Sequence, residues 1–302
     1  MKTIMKKAIP IITSLLFIFC SLVDGKKTVT NTNQKLKPTK KHPKFSEYWY
    51  AGKAEITSYK LTQNRYGELH QGTAVNIFVT EDFLPEKQVK ADNQNKKNVP
   101  VLKLNSTKKF TTGIYPYSLM TSTFTPIDIN KKTIKISFSS QEWCGNTFMQ
   151  LNNREKFKID FFSYFESNAD RKVSLEKNAL ENELWNQLRI NPKSIAKGRY
   201  KVIPSFEYLA LNHQKIKAYD AEVNLIEKGE FINFSVYYPK LKRKLTIKLT
   251  KDFPYTIESW EEITTNRGKT LTTKAEKINT IKSAYWTKNG ATDTKERKEL
   301  GL

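Results

Sequence analysis

The chain reads as mainly β: an antiparallel meander forming a strongly curved sheet or half-barrel, with one prominent amphipathic helix, at about 174–190, packed on it. Three observations predict this. Roughly a dozen segments alternate apolar and polar side chains at the period of a half-buried strand. The connections between them are short and rich in Gly, Asn and Pro, which suits antiparallel neighbours rather than βαβ crossovers. Only the stretch from Ser174 to Ile190 carries a clear helical spacing, with Leu175, Ala179, Leu180, Leu184 and Leu188 on one stripe. With 302 residues, 38% hydrophobic and 12% aromatic, the chain can bury a substantial core.

The N-terminus predicts export. Lys2, Lys6 and Lys7 precede the apolar run Ala8–Cys20, which is shorter than the roughly 20 residues a membrane span needs and fits the h-region of a signal peptide over residues 1–25. Cleavage after Gly25 is the favoured processing; acylation of Cys20 is the alternative, with bulky Phe19 in front of it. Residues 26–44 hold seven Lys and no acid, so they read as a disordered basic tether that can rest on anionic lipid. The destination is the periplasm or cell envelope, membrane-anchored if Cys20 is the processing site. Either route leaves Cys144 as the single cysteine of the mature chain, so no internal disulfide is expected.

A single domain follows over 45–290. Its predicted strands are Tyr50–Leu61, Glu68–Thr80, Val99–Leu104, Phe110–Pro126, a pair within Thr133–Asn152, and Phe157–Phe165. Ser174 is the expected N-cap of the helix, and Asn191-Pro192 ends it. Six more strands are predicted: Tyr200–Leu211, Lys215–Ile226, Glu230–Tyr238, Lys244–Thr250, Tyr255–Ile263 and Lys269–Ile281. Residues 291–302 read as a polar tail.

The net charge of +22 invites a nucleic-acid reading, but 44 of the 52 basic residues are Lys and only 8 are Arg. Base and phosphate recognition favours the planar fork of Arg, so no specific nucleic-acid partner is expected. No metal site is expected either: three scattered His and one mature Cys offer no ligand spacing. No cofactor motif occurs.

The densest group of chemically capable side chains is the turn Gln141, Glu142, Trp143, Cys144, Gly145, Asn146. Trp143-Cys144-Gly145 resembles half of a thioredoxin-type W-C-G-x-C motif, but the second Cys that a redox relay needs is missing. Cys144 is expected as a small buried hydrophobe beside an anchoring Trp143. Glu142 is the candidate acid or base. Tyr115 and Tyr117, on a strand rich in Ser and Thr, join Gln141, Glu142, Trp143, Cys144 and Asn146 as candidate binding residues, since aromatics on a concave sheet can stack on a sugar or cover a lipid chain.

The segments YWYAGKAEITSY, GTAVNIFVTEDF, TGIYPYSLMTSTFTPI, SSQEWCGNTFMQLN, LENELWNQLRINP, KVIPSFEYL and PYTIESWEE resemble a family of exported flavobacterial proteins often filed as "septum formation inhibitor Maf". The resemblance runs from Tyr48 to about Glu262 and implies an exported β-rich protein. Maf pyrophosphatases themselves are cytoplasmic α/β proteins with an N-terminal S-x-S-P-R-R motif, which this chain lacks, so nucleotide pyrophosphatase activity is not expected. More loosely, the strand order is similar to the half-barrels of periplasmic lipoprotein carriers.

These readings converge on an envelope-associated monomer that binds an apolar or amphiphilic small molecule, lipid or glycan, inside a curved sheet. Two rivals remain: a hydrolase or isomerase using Glu142, and a structural surface protein. An all-apolar pocket would favour the carrier, and Glu142 desolvated beside Asn146 in a cleft would favour the enzyme.

Overall fold

The computed structural model describes residues 41–266 and 268–302. The expected signal peptide with Cys20, and all but the end of the expected tether, lie outside the described residues. The body opens with a short helix, α1 (Phe45–Trp49), which buries Phe45 and Trp49. β1 (Ala54–Arg65) and β2 (Glu68–Leu84) then form a long hairpin. Its turn places Tyr66 at φ 55° and Gly67 at φ 79°, the two left-handed residues of a tight turn matched to strand twist.

The two-residue β3 (Val89–Lys90) pairs with the end of β2. β4 (Val99–Thr112) pairs antiparallel with β2, and β5 (Tyr115–Pro126), β6 (Lys135–Glu142), β7 (Gly145–Asn153), β8 (Phe157–Ser163) and β9 (Arg171–Leu175) follow, each antiparallel to the last. The second half begins with β10 (Ala179–Leu180), α2 (Glu181–Ile190), β11 (Gly198–Ile203) and α3 (Phe206–Leu211). It continues through β12 (Tyr219–Lys228), β13 (Phe231–Tyr238), β14 (Arg243–Thr250), β15 (Ile257–Asn266) and β16 (Lys269–Ser283), and a short α4 (Lys295–Glu299) closes the chain.

All sixteen strands belong to one sheet; fifteen run in the order β10-β11-β12-β13-β14-β15-β16-β1-β2-β4-β5-β6-β7-β8-β9, β3 pairs with β2 off this path, and only the β10–β11 pair is parallel. The last strand therefore pairs with the first in the middle of the sheet, from Ala54↔Ser283 to Thr62↔Lys274. β9 and β10 form the two edges, yet only three residues separate Leu175 from Ala179. Four Cα–Cα steps reach at most about 14 Å, so the twisted sheet curls until its edges nearly meet without closing. Inward-facing side chains such as Ile136, Phe138, Met149, Leu151, Ile159 and Phe161 are buried and line the concave core.

Several expected boundaries move. The helix expected over 174–190 begins only at Glu181, because Arg171–Leu175 hydrogen-bonds to β8 and Ala179–Leu180 to β11. Two open sheet edges capture segments whose side-chain spacing alone suits a helix. Its C-terminus is where the sequence puts it: the Asn191 side chain accepts from the Lys193 amide and Pro192 follows. The expected strand Tyr200–Leu211 stops at Ile203; Ser205 then caps α3, accepting from the Tyr208 amide at 3.3 Å. Phe110–Pro126 is two strands joined by a turn at Gly113-Ile114. The polar tail packs: Leu300 is buried on the outer face against Ala54, Ile56 and Val79.

Candidate functional site

α2 crosses the concave interior, and its chemistry is unusual for such a place. Leu184 and Leu188 are buried as expected, but so are Glu181, Glu183, Asn186 and Arg189. Most of these polar groups are met by the sheet and the loops beside it. At the C-terminal end, Arg189 forms a two-pronged pair with Glu55 on β1, with Nη2 2.7 Å from Oε2, and the Tyr48 hydroxyl donates to the same carboxylate. Burial alone would push the Glu55 carboxyl up; the Arg189 guanidinium outweighs it and holds that carboxyl below its ordinary range.

At the N-terminal end, Arg243 on β14 spans two carboxylates. Its Nη2 lies 2.7 Å from Glu181 Oε1 and 2.9 Å from Glu262 Oε2. The Tyr238 hydroxyl donates to Glu181 at 2.7 Å, and burial followed by the Glu181 charge pushes its pKa well above that of an ordinary phenol. Glu262 is pushed up by burial but held low, on balance, by Arg243. Between the two ends, Asn186 donates to the carbonyls of Leu102 and Thr123 and to Thr125 Oγ1, while Glu183 accepts from the Thr133 amide at 2.8 Å. The helix is thus clamped at both ends by ion pairs and in the middle by an amide.

Beside the Glu181 end the interior opens into a cleft of about 50 Å³. Trp185 and Trp260 meet edge-to-face there at 5.3 Å, and Tyr59 packs on Trp260 at 4.6 Å. Hydroxyls of Ser106, Thr121, Thr123 and Ser205 line the rest, with Lys108 paired to Glu207 at 2.6 Å. The lining holds three carboxylates, Glu181, Glu207 and Glu262; against them stand Lys108 in the lining and Arg243 behind it. That balance is one negative charge, which disfavours phosphate and suits a neutral hydroxyl-rich or ammonium group.

Three buried polar groups around the cleft are incompletely paired. Thr123 Oγ1, Asn186 Oδ1 and both side-chain atoms of Asn76 have no hydrogen-bond partner among the described residues. Asn76 is the cross-strand neighbour of Ser106, which lines the cleft. Buried polar atoms in proteins are satisfied in the great majority of cases, by protein or by water, so this group marks a place built to hold something polar. The volume suffices for a few waters or one small polar group, not for an acyl chain.

The site residues expected from the sequence lie elsewhere, at the tip of the β6–β7 hairpin. Trp143 is 68% exposed and Cys144 is exposed, which corrects both the anchoring tryptophan and the buried cysteine. A two-residue turn has no interior to bury them in. Glu142 Oε2 accepts from the Cys144 amide at 2.7 Å, so this carboxylate closes the turn. It also sits beside the thiol and raises the Cys144 pKa, the opposite of what a nucleophile needs. Gln141 and Asn146 are exposed cross-strand partners. Gly145 is where Tyr164 crosses: a Cβ there would lie 3.0 Å from the ring.

The structure brings Tyr115 to 6.3 Å from Trp143 and 5.8 Å from Tyr117. Tyr117 itself turns inward, stacked on Phe110 at 4.9 Å, with its hydroxyl 2.6 Å from that of Tyr66. This turn cluster and the cleft are separate places. The cleft residues missed from sequence had one available signal: ENELWNQLR puts charged and amide side chains on every face of a helix flanked by apolar residues, and these need partners if the helix is interior.

Among the described residues no group of His, Cys, Asp and Glu could hold a metal ion, and no helix is long and apolar enough to cross a membrane. No protein-family model matches the chain, and no curated protein matches it.

Proposed function

We propose that the chain is an exported, envelope-associated binding protein that takes the polar part of an amphiphile or glycan in the cleft between α2 and the concave sheet. The observation that carries this reading is the paired tryptophans Trp185 and Trp260, set among hydroxyls and the unpartnered Thr123 Oγ1. Indole faces cover the apolar side of a sugar ring or headgroup, and hydroxyls and carboxylates take its polar edge. Neither discriminating pattern named above is met: the cleft is not purely apolar, and Glu142 stands at an exposed tip. The polar lining supports a headgroup or sugar over a bare acyl chain. The basic, then apolar, N-terminus supports export, and the Lys-rich residues 26–44 support a peripheral hold on anionic lipid.

Native mass spectrometry of the protein taken from its own envelope tests the reading. A co-purifying glycan or amphiphile that is lost in Thr123→Val and in Trp185→Ala, with both variants still folded, is the expected result. Retention of the same molecule by both variants would remove the cleft from consideration. For hydrolase or isomerase chemistry at Glu142, the turn offers only the Cys144 amide and thiol beside the carboxylate.

A further inference from the structure

We infer that one end of the sheet docks on an anionic phospholipid bilayer, through aromatic and aliphatic turn tips flanked by lysines. This rests on a different surface from the cleft and does not depend on what the cleft binds. In the antiparallel order, the β1–β2, β4–β5, β6–β7 and β8–β9 turns all emerge at the same end. Each presents one large side chain to solvent: Tyr66 at 61% exposure, Ile114 at 81%, Trp143 at 68% and Tyr164 at 73%.

The four are neighbours. Tyr66 touches Tyr117, Tyr115 lies beside Trp143, and Tyr164 packs over Gly145. The outer face continues the patch, because Met120, Ser139, Phe148 and Phe162 stand in register across β5 to β8, and the two phenylalanine rings stack at 6.3 Å. None of these residues is needed for a solvated turn, and contiguous exposed apolar surface of this kind marks an interaction site.

Charge selects the partner. The other turns at this end carry exposed Lys215, Lys217, Lys240, Lys242 and Lys269. Glu68, Glu142, Glu166 and Asp170 lie among the aromatic tips, and the five lysines outnumber these four acids. These tips protrude from four separate turns rather than lining a groove. They can enter a bilayer interface together, where Trp and Tyr settle at the headgroup level and Lys meets anionic lipid.

The test is sedimentation of the full chain with vesicles of equal parts phosphatidylglycerol and phosphatidylcholine, compared with phosphatidylcholine alone. The double variant Ile114→Ser/Trp143→Ser is expected to partition about tenfold more weakly on both vesicles. Lys215→Gln/Lys217→Gln/Lys242→Gln should weaken only the anionic case, and Ile226→Ser, at the other end, should change nothing. Unaltered melting temperatures establish that the variants fold. Brominated lipid should quench wild-type fluorescence more than that of Trp143→Phe. If the tip variant partitions like the wild type, binding belongs to the basic N-terminal stretch and the inference fails. It fails equally if the wild type ignores both vesicles, which would leave the patch to a protein partner.

Discussion

The β6–β7 turn and helix α2 make an instructive pair. Both are rich in Glu, Asn and Trp. In the turn these side chains serve only each other: Glu142 reaches its own neighbour's amide, and Trp143 and Cys144 stand in solvent. In α2 the Glu and Asn side chains are buried and find partners far away in sequence, as Arg189 of the same helix does with Glu55 across 134 residues. Chemical density in a sequence therefore says little about importance. What matters is whether a side chain is removed from water, because only there does an unmet charge or amide become costly.

The largest effect expected from this contrast is at Arg243. Arg243→Met leaves the buried Glu181 and the part-buried Glu262 without their cation and should cost about 3–5 kcal/mol, read from the urea midpoint. A loss under about 1 kcal/mol would mean that the clamp does not hold α2. Acid probes the same contrast. The Glu55 and Glu262 carboxyls are held below their ordinary range, so the stability they contribute is fully present above the unfolded glutamate value of about 4.3 and lost as pH falls through the folded values. Melting temperature should drop from pH 5 towards pH 3, and Glu55→Gln should make that drop shallower while lowering stability at pH 7.

Asn186→Leu comes next, at about 1–3 kcal/mol, since it strips a donor from the Leu102 and Thr123 carbonyls and from Thr125. Glu142→Gln should cost about 1 kcal/mol or less, because an amide oxygen can still accept from Cys144. Trp143→Ala is the smallest, within about 0.5 kcal/mol on a thermal melt, as for other exposed positions. A loss of several kcal/mol there would overturn the picture of the tip as free of the core.

The strands were legible because alternation is local: Ile136, Phe138, Met149 and Leu151 announce their buried face within a few residues. The end of α2 was legible for the same reason, through Asn191 and Pro192. Its beginning was not, since Arg171–Leu175 becomes a strand only because β8 offers a free edge. α3 could have been found from Pro204-Ser205, a cap that apolar neighbours outweighed in the strand reading. The cleft was illegible in principle, because Trp185, Trp260, Thr123 and Ser106 come from four separate elements. Tyr115 lies 6.3 Å from Trp143, yet nothing in the spacing of Trp143 shows that it stands exposed at a turn.

The pairing of β1 with β16 has a consequence for how the protein is made. Translation delivers β1 first and its partner last, so a twelve-residue strand waits with one side unmatched until almost the whole chain has been synthesised. Before then, the first nine strands are a sheet with a bare border at β1, although the interior helix that fills their hollow, α2, follows them directly and arrives well ahead of β16. Such an intermediate is a template for pairing between nascent chains. The two halves, divided at the short link between β9 and β10, are each continuous stretches of sheet that need one another along a single joint and through α2. Expressed as separate polypeptides, they should find each other and rebuild the hoop, and either one alone should aggregate.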